Sequence, residues 1–581
     1  MPATAIDPIK TTIPKSIDRK PFEQRLNAMK LEFSSWEGAL KEIRSYENPL
    51  RGFFDGEQPN QGKTVDHKLM LDSHARRCVR TGGAGMTSGL TSPARPWFKL
   101  GVDDPKLMEN ESVQEWLNDT EQRMRNVFSR SNIYGALTQA YEELFSFATA
   151  AIAILEDYDT AIRAYTFTAG EYVLGVGPDG RVNAFGRRYW MQIGALVKEF
   201  GLESCSKAVQ QAHKEGKVDD WVKVNHLIEI NDTRLPDKSD FGNMKFRSVQ
   251  WEEGSPATDI LRISGFEDFP ILGPRWALAN STDIYGKGPG WDGLGDCKML
   301  QKLQRKKLLG LDKQLDPPTQ QDGTVTGEVD TLPGARNKSS ATTPNAGVRP
   351  VYQISVNLQD VEFCINETKR SLDATFYTDL FLMLTQSDRR QITAEEIAKK
   401  YEEKLWMLGP VLEALEGELL DPLIDRTFSI MLRLGLIADP PPELQGQELK
   451  VEYISILAQA QKAVGTAAIE KLFTFAGGLA AINPDAVNKL EFDEAIEAYA
   501  NMLGISPKIV RSKEAAARIR QVIQDAQAQQ LQAQQSMAMA QGAETLSRAK
   551  LNQGSALDAV IAGQTGQLMQ KPAQPAQSGK K

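Results

Sequence analysis

The sequence predicts an α+β protein, mostly helical and divided into several domains. Three observations carry that reading. Apolar residues recur at three- and four-residue spacing over several long stretches, the mark of helices with one buried face. Between 163 and 264, aromatic and β-branched residues take over and turn signals recur, the mark of short strands. The stretch from Glu514 to about Lys550 is Ala/Gln-rich and favours helix, yet it has almost no large apolar residues.

Taken in order, residues 1–19 read as a flexible arm. Phe22 to Tyr46 is an amphipathic helix, with Leu26, Met29, Phe33, Trp36 and Leu40 on one face. Pro49, Gly52, Gly56, Pro59 and Gly62 make a loop, and helical signal resumes from about Thr64 to Thr81. From Ser112 to Leu155 the pattern is helical again, and the apolar run Leu144 to Leu155 reads as a buried core helix too short to span a bilayer. Arg163 to Val176 and Arg181 to Met191 flank Gly177-Pro178-Asp179-Gly180 and predict a β-hairpin. Val222, Val224, His226, Ile228 and Ile230 alternate as a strand, and 244–251 and 260–264 give two more.

A helix follows over about 295–315, ended by Pro317-Pro318. Residues 319–350 are polar and rich in Gly, Thr, Asn and Pro. Val356 to Leu384 reads as one long helix with Leu358, Val361, Ile365, Leu372 and Phe376 in a stripe. The loop Gln386-Ser387-Asp388-Arg389-Arg390-Gln391 comes next. A helical hairpin pushes its tip outward, and this tip carries two adjacent guanidinium groups, suited to a phosphate backbone. Thr393 and Glu396 fit a capping box opening a third helix, which runs to about Gly435 with kinks expected at Pro410 and Pro422. Residues 450–510 read as short helices, and 551–581 as a disordered tail.

The 581 residues are 41% hydrophobic and 25% charged, ordinary for globular domains. The net charge of −8 and pI near 5.5 exclude a surface that is basic throughout. Charge is uneven, however: residues 511–581 hold nine Lys/Arg against four Asp/Glu. Cys78, Cys205, Cys297 and Cys364 form no CxxC pair, which argues against a disulfide framework or a zinc site and for a reducing compartment. The four histidines, His67, His74, His213 and His226, form no HExxH motif, and no metal or cofactor is expected. The run Thr81 to Gly89 resembles a phosphate-cradling loop but lacks the Gly-Lys-Ser/Thr of a Walker loop and has GxGxxxG spacing. It is expected to be a place where small residues let backbones approach. Lys298, Lys302, Arg305 and Lys306 recur as one positive stripe on the helix that precedes the polar segment.

Three segments, in this order and separation, carry a family resemblance. The first is Gly85-Met86-Thr87-Ser88-Gly89-Leu90-Thr91-Ser92-Pro93-Ala94-Arg95-Pro96-Trp97-Phe98. The second runs from Phe269-Pro270 through Pro274-Arg275-Trp276 to Tyr285-Gly286. The third is Ile392 to Glu396, with Glu418-Leu419-Leu420, Pro422-Leu423 and Arg426 beyond it. The chain resembles the portal, or head-to-tail connector, proteins of short-tailed double-stranded DNA bacteriophages.

That resemblance implies a portal fold with wing, stem, clip and crown regions around a central channel, in a homo-oligomeric ring of typically twelve subunits at one capsid vertex. Residues 1–63 would be an N-terminal arm and helix. Residues 64–285 and 393–440 would form the wing, 286–316 and 356–384 the stem helices, and 317–355 the clip. Residues 385–392 would be the tunnel loop, 441–510 the crown, and 511–581 a barrel helix and tail. Double-stranded DNA would pass non-specifically, touched by Arg389, Arg390 and the Lys298, Lys302, Arg305 and Lys306 stripe. The clip, with Arg336, Lys338 and Arg349, would meet a terminase packaging motor and later the tail adaptor proteins. Major capsid and scaffolding proteins would be further partners, with no membrane, no cofactor and no catalytic site. The expected place is the virion, and the host cytoplasm during assembly. Another virion structural protein is the alternative. A nucleotide hydrolase is weaker, since the glycine run lacks its lysine.

Overall fold

The computed structural model describes residues 18–454, apart from 55–68, 109, 236–242, 257, 322–324, 331, 333, 339, 341–346, 352–356, 387–406 and 445–448, and scattered helical positions between 516 and 537. Residues 1–17 of the expected flexible arm 1–19, the capping box at Thr393 and Glu396, nearly all of the expected crown and the tail 551–581 lie outside the described residues. Arg19, at the end of that arm, is instead buried and donates to Ser255 and the Asp259 carbonyl. The chain divides into a large unit, 1–490 with 502–504, and a second unit formed by the rest.

In the large unit, α1 (Lys20–Tyr46) buries Phe22, Leu26, Met29, Phe33, Leu40 and Ile43; of the expected stripe, Trp36 alone is only half-buried. The next helix, α2 (His74–Leu90), starts later than the expected 64–81 and runs straight through the glycine run. A Cβ on Gly82 would lie 2.8 Å from the Phe145 ring, and one on Gly85 2.4 Å from Phe381. The glycines therefore let helix pack on helix at close range.

Strand β1 (Phe98–Val102) leads to α3 (Pro105–Met108), α4 (Glu111–Arg130) and α5 (Ile133–Phe147). Asn110 caps α4 by accepting from the Ser112 N–H. The run Leu144 to Leu155 is not one helix. It ends at Phe147, Ala148 turns left-handed with φ 59°, and Ala151–Asp157 forms strand β2. Both halves are wholly buried, so the run is apolar without a period, and periodicity cannot separate a buried strand from a buried helix.

Strand β2 sits between β3 (Ala161–Phe167) and β9 (Ile271–Leu272). A five-stranded antiparallel sheet follows: β4 (Tyr172–Val176), β5 (Val182–Gln192), β6 (Trp221–Ile230), β7 (Phe246–Glu252) and β8 (Arg262–Phe266). The expected hairpin at Gly177–Gly180 joins β4 to β5, with Gly180 at φ 76°. Its first arm is shorter than expected, because residues up to Phe167 pair with β2 in the other sheet. Helices α6 (Ile193–Phe200) and α7 (Lys207–Lys214) cover the far end of β5 and β6 over Met191, Leu196, Val209 and Val224.

Helix α8 (Pro289–Leu315) begins six residues before the expected 295, with Pro289 in its first turn, where a missing N–H costs nothing. Strands β10 (Thr319–Gln321) and β11 (Val348–Pro350) pair antiparallel beyond it. The expected single helix 356–384 is two: α9 (Leu358–Thr375) and α10 (Thr378–Gln386), parted at Tyr377 with φ 53°. Helix α11 (407–415) passes through a π-helical turn, Glu416–Leu420, into α12 (Asp421–Arg433). Pro422 lies in the first turn of α12, and the widened turn before it absorbs the break in the ladder. Where short helices were expected from 450, Leu449–Tyr453 is strand β12, antiparallel to β1. In the second unit the described positions are helical, with Ile519, Val522, Ile523 and Met537 exposed.

One buried acid couples this packing to pH. Glu143 on α5 accepts from Thr168 Oγ1 (2.8 Å) and the Ala169 N–H (3.2 Å), and pairs with Arg51 at 3.2 Å. Burial outweighs Arg51 and pushes its carboxyl up to about 7 from 4.5. Between those values the folded chain holds a proton that the unfolded chain releases. Stability from this group is therefore complete at low pH and is lost as pH rises, at about 1.4 kcal/mol per unit. Glu143→Gln should flatten that slope in urea melts taken at pH 5, 6 and 7.

Candidate functional site: a two-helix arm on a buried mount

The second of the segments that carried the resemblance meets the third in space at Glu418, and Arg426 of the third reaches Asp268, just ahead of the second. Arg275, 3% exposed, holds Glu418 of the π-helical turn through Nε (3.1 Å), Nη2 and its backbone N–H (2.9 Å). Its guanidinium also donates to the Gly180 carbonyl (2.8 Å) and the Asp283 carbonyl (3.3 Å). One side chain thus ties a hairpin, a loop and a helix together. Arg426 of α12, wholly buried, donates to the Ile154 carbonyl (2.7 Å) and the Asp268 carbonyl (3.0 Å) and stands over the Phe266 ring. Burial lowers its pKa to about 10, which still leaves it charged.

The base of α8 is wedged against the end of α5. Trp276 packs edge-on to Phe145 at 4.8 Å, and the Gly286 N–H donates to Thr149 Oγ1 at 2.8 Å. A Cβ on Gly290 would lie 2.1 Å from the Ser146 carbonyl oxygen and 2.7 Å from a Glu47 carboxyl oxygen. Burial pushes that carboxyl well above the usual range.

From this mount α8 and α9 run out together, antiparallel. Lys307 pairs with Glu362 (2.8 Å), Ser371 Oγ donates to Asp296 (2.7 Å), and Gly293 lies under Phe376. Cys297 and Leu300 of α8 are buried in one apolar cluster with Ile365 and Leu372 of α9 and Phe376. The Gln301 amide accepts from the Leu71 and Asp72 N–H groups and donates to the Asp72 carbonyl, pinning the start of α2 to the arm.

The expected basic stripe is divided by this packing. Lys298 is engaged, paired with Glu42 of α1 at 2.8 Å and set over the Tyr46 ring. Lys302, Arg305 and Lys306 are exposed and have no ion-pair partner among the described residues. Arg336 and Lys338 are exposed beyond the end of α8, and Arg349 lies on β11 opposite Gln320. Arg389 and Arg390 lie outside the described residues.

Sequence reasoning missed one cluster. His74, Cys78 and Asp373 place donor atoms within 4.8 Å of one another. The spacing of His74 and Cys78 on one helix face was visible, but nothing in the sequence pointed to Asp373. Arg77 Nη2 lies 2.8 Å from His74 Nδ1, and a guanidinium can only donate, so the ring proton sits on Nε2. That Nε2–H donates to Asp373 at 3.1 Å, and the Cys78 thiol donates to the same oxygen at 3.4 Å. Burial pushes the thiol up to about 12. The three groups satisfy one another as a neutral-His hydrogen-bond cluster joining α2 to α9, and a metal would have to displace both the ring proton and Arg77.

Among the described residues, no helix is long and apolar enough to cross a membrane. The chain is 38% identical over 532 residues to the "Probable portal protein" of Bordetella phage BPP-1, covering 91% of this chain and 95% of that one. It is 38% identical over 549 residues to the "Portal protein" of Salmonella phage epsilon15, covering 94% and 98%. Among solved structures it is similar to chains from the neck of an empty gene transfer agent (GTA) particle and from the virion of a native one. Each is 11% identical, with TM-scores of 0.33 and 0.34, over 75% and 76% of this chain and 91% and 92% of those. Scores that low carry no argument about the fold. The family described as "Bacteriophage head to tail connecting protein" matches residues 19–510, and with those two relatives it makes this chain a member of the bacteriophage head-to-tail connecting proteins.

Proposed function

We propose that this chain is a phage portal protein: copies close into a ring at one capsid vertex, and double-stranded DNA passes through the centre during packaging and ejection. The observation that supports this most is the identity with two portal proteins across more than nine-tenths of the chain. The arm of α8 and α9 is then the stem, β10–β11 and the residues between them the clip, and the loop at 385–392 the inner constriction. The role is structural, with ATP hydrolysed by a separate packaging motor at the clip and tail proteins taking its place later.

The charge pattern suits a conduit. Each phosphate neutralised strengthens binding through counterion release, so a uniformly basic lining would hold DNA fast. An acidic protein with a few positive bands touches the duplex weakly and reads no bases. Arg389, Arg390 and the stripe of Lys302, Arg305 and Lys306 supply such bands, with Lys298 held against α1.

Negative-stain images of the purified chain should show rings with an axial hole, and a preparation that stays monomeric at high concentration would overturn the reading. Arg389→Glu with Arg390→Glu should leave rings intact but reduce packaged DNA at least tenfold in an infection assay. Undiminished packaging would remove the loop from the passage.

A further inference from the structure

The outward faces of α8 and α9 carry matching patterns of opposite charge. On α8, Lys306, Leu309 and Lys313 stand at i, i+3 and i+7, one face of a helix. On α9, Asp360, Phe363 and Glu367 repeat the same spacing with the opposite sign. All six are exposed, and the two apolar centres are the more telling: Leu309 is 50% exposed and Phe363 66%. Among the described residues Lys306, Lys313 and Glu367 have no ion-pair partner, and Asp360 meets only its own cap residue, Asn357. The chain's own pairing of α8 with α9 uses a different face, through Lys307 and Glu362.

We propose that α8 of one copy packs antiparallel on α9 of the next. Lys306 then lies beside the neighbour's Glu367, Leu309 beside its Phe363 and Lys313 beside its Asp360. Seven residues of helix span about 10.5 Å, so the two charged ends and the apolar centre come into register together. The antiparallel sense is the one in which neighbouring arms of a ring would present these helices. Within the chain Lys307 is level with Glu362, whereas the pairing between copies sets Lys306 level with Glu367. In the chain's own register Lys306 is level with Phe363, so the offset is four residues, about 6 Å along the helix, and the arms lean relative to the ring axis. Lys306 then serves the contact between copies instead of the passage assigned to it above, leaving Lys302 and Arg305 of the stripe to the passage. This inference rests on the ring reading.

Charge reversal tests it on the full chain. Lys306→Glu with Lys313→Glu should raise the concentration at half-assembly, measured by mass photometry, about tenfold or more, because like charges would then face each other. Asp360→Lys with Glu367→Lys should do the same, and the four changes together should restore assembly. Monomer melts should be unchanged in each. If the unaltered chain forms no ring, the ring reading fails. If it does form rings and the reversed chains assemble as well as it does, or the fourfold variant is not rescued, this pairing alone is overturned. Leu309→Cys with Phe363→Cys, in a Cys364→Ser background, should give an oxidised ladder from dimer upward on a non-reducing gel. Monomer only would likewise overturn the pairing.

Discussion

Arg275→Ala should lower the stability of the chain by about 3–5 kcal/mol, the range for removing one partner of a buried ion pair. The loss would come less from the missing attraction than from what stays behind. Glu418, half-buried, would lose its partner, and the Gly180 and Asp283 carbonyls would lose their donor. A double change, Arg275→Met with Glu418→Leu, should therefore cost clearly less than the sum of the two single changes. Urea unfolding of the four chains checks this, and additive losses would mean that the residues act separately. Because Glu418 sits in the π-helical turn, the single change should also loosen the step from α11 into α12.

Gly290→Ala should be nearly as damaging, although alanine is ordinarily the better helix residue by about 1 kcal/mol. The added carbon would overlap the Ser146 carbonyl oxygen, which is backbone at the end of α5 and cannot turn aside. Relief requires α8 to lift off α5, opening the seam around Trp276 and Phe145. Overpacking of that kind costs about 1–3 kcal/mol and more where backbone is involved, so a net loss of about 3 kcal/mol is expected in a urea titration. Assembly should suffer more than stability, since a tilt at the base is amplified along a 27-residue helix. Gly295→Ala, in the same helix with open space around the new carbon, should be neutral or stabilising and is the matched control.

Much of this was legible in the sequence, and each failure has its own physical cause. The stripe of α1 has one buried face, and the strands of the five-stranded sheet are set off by the strong turn signal at Gly177–Gly180 and by aromatic and β-branched residues, although β4 and β7 are buried on both faces. The segment 144–155 has neither, since both of its halves are buried on every side. The break at Tyr377 was hidden because tyrosine gives no sign of a left-handed backbone, unlike glycine or asparagine. At the arm, the basic stripe could be read from spacing, but the engagement of Lys298 by Glu42 is a contact between distant segments that no local pattern encodes. The same holds for Arg275 with Glu418. Both residues stood among the segments that suggested the family, yet only the fold shows that they touch.

The ladder between β1 and β12 has a bearing on biosynthesis. Phe98 lies opposite Tyr453, so a ribosome must deliver nearly the whole large unit before the first strand finds its mate. Until then that strand presents a bare edge, the sort of surface on which nascent polypeptides stick to one another. Closing so long a loop is slow, which delays maturation until translation is almost done and leaves fragments ending before residue 449 with a zipper that cannot be fastened.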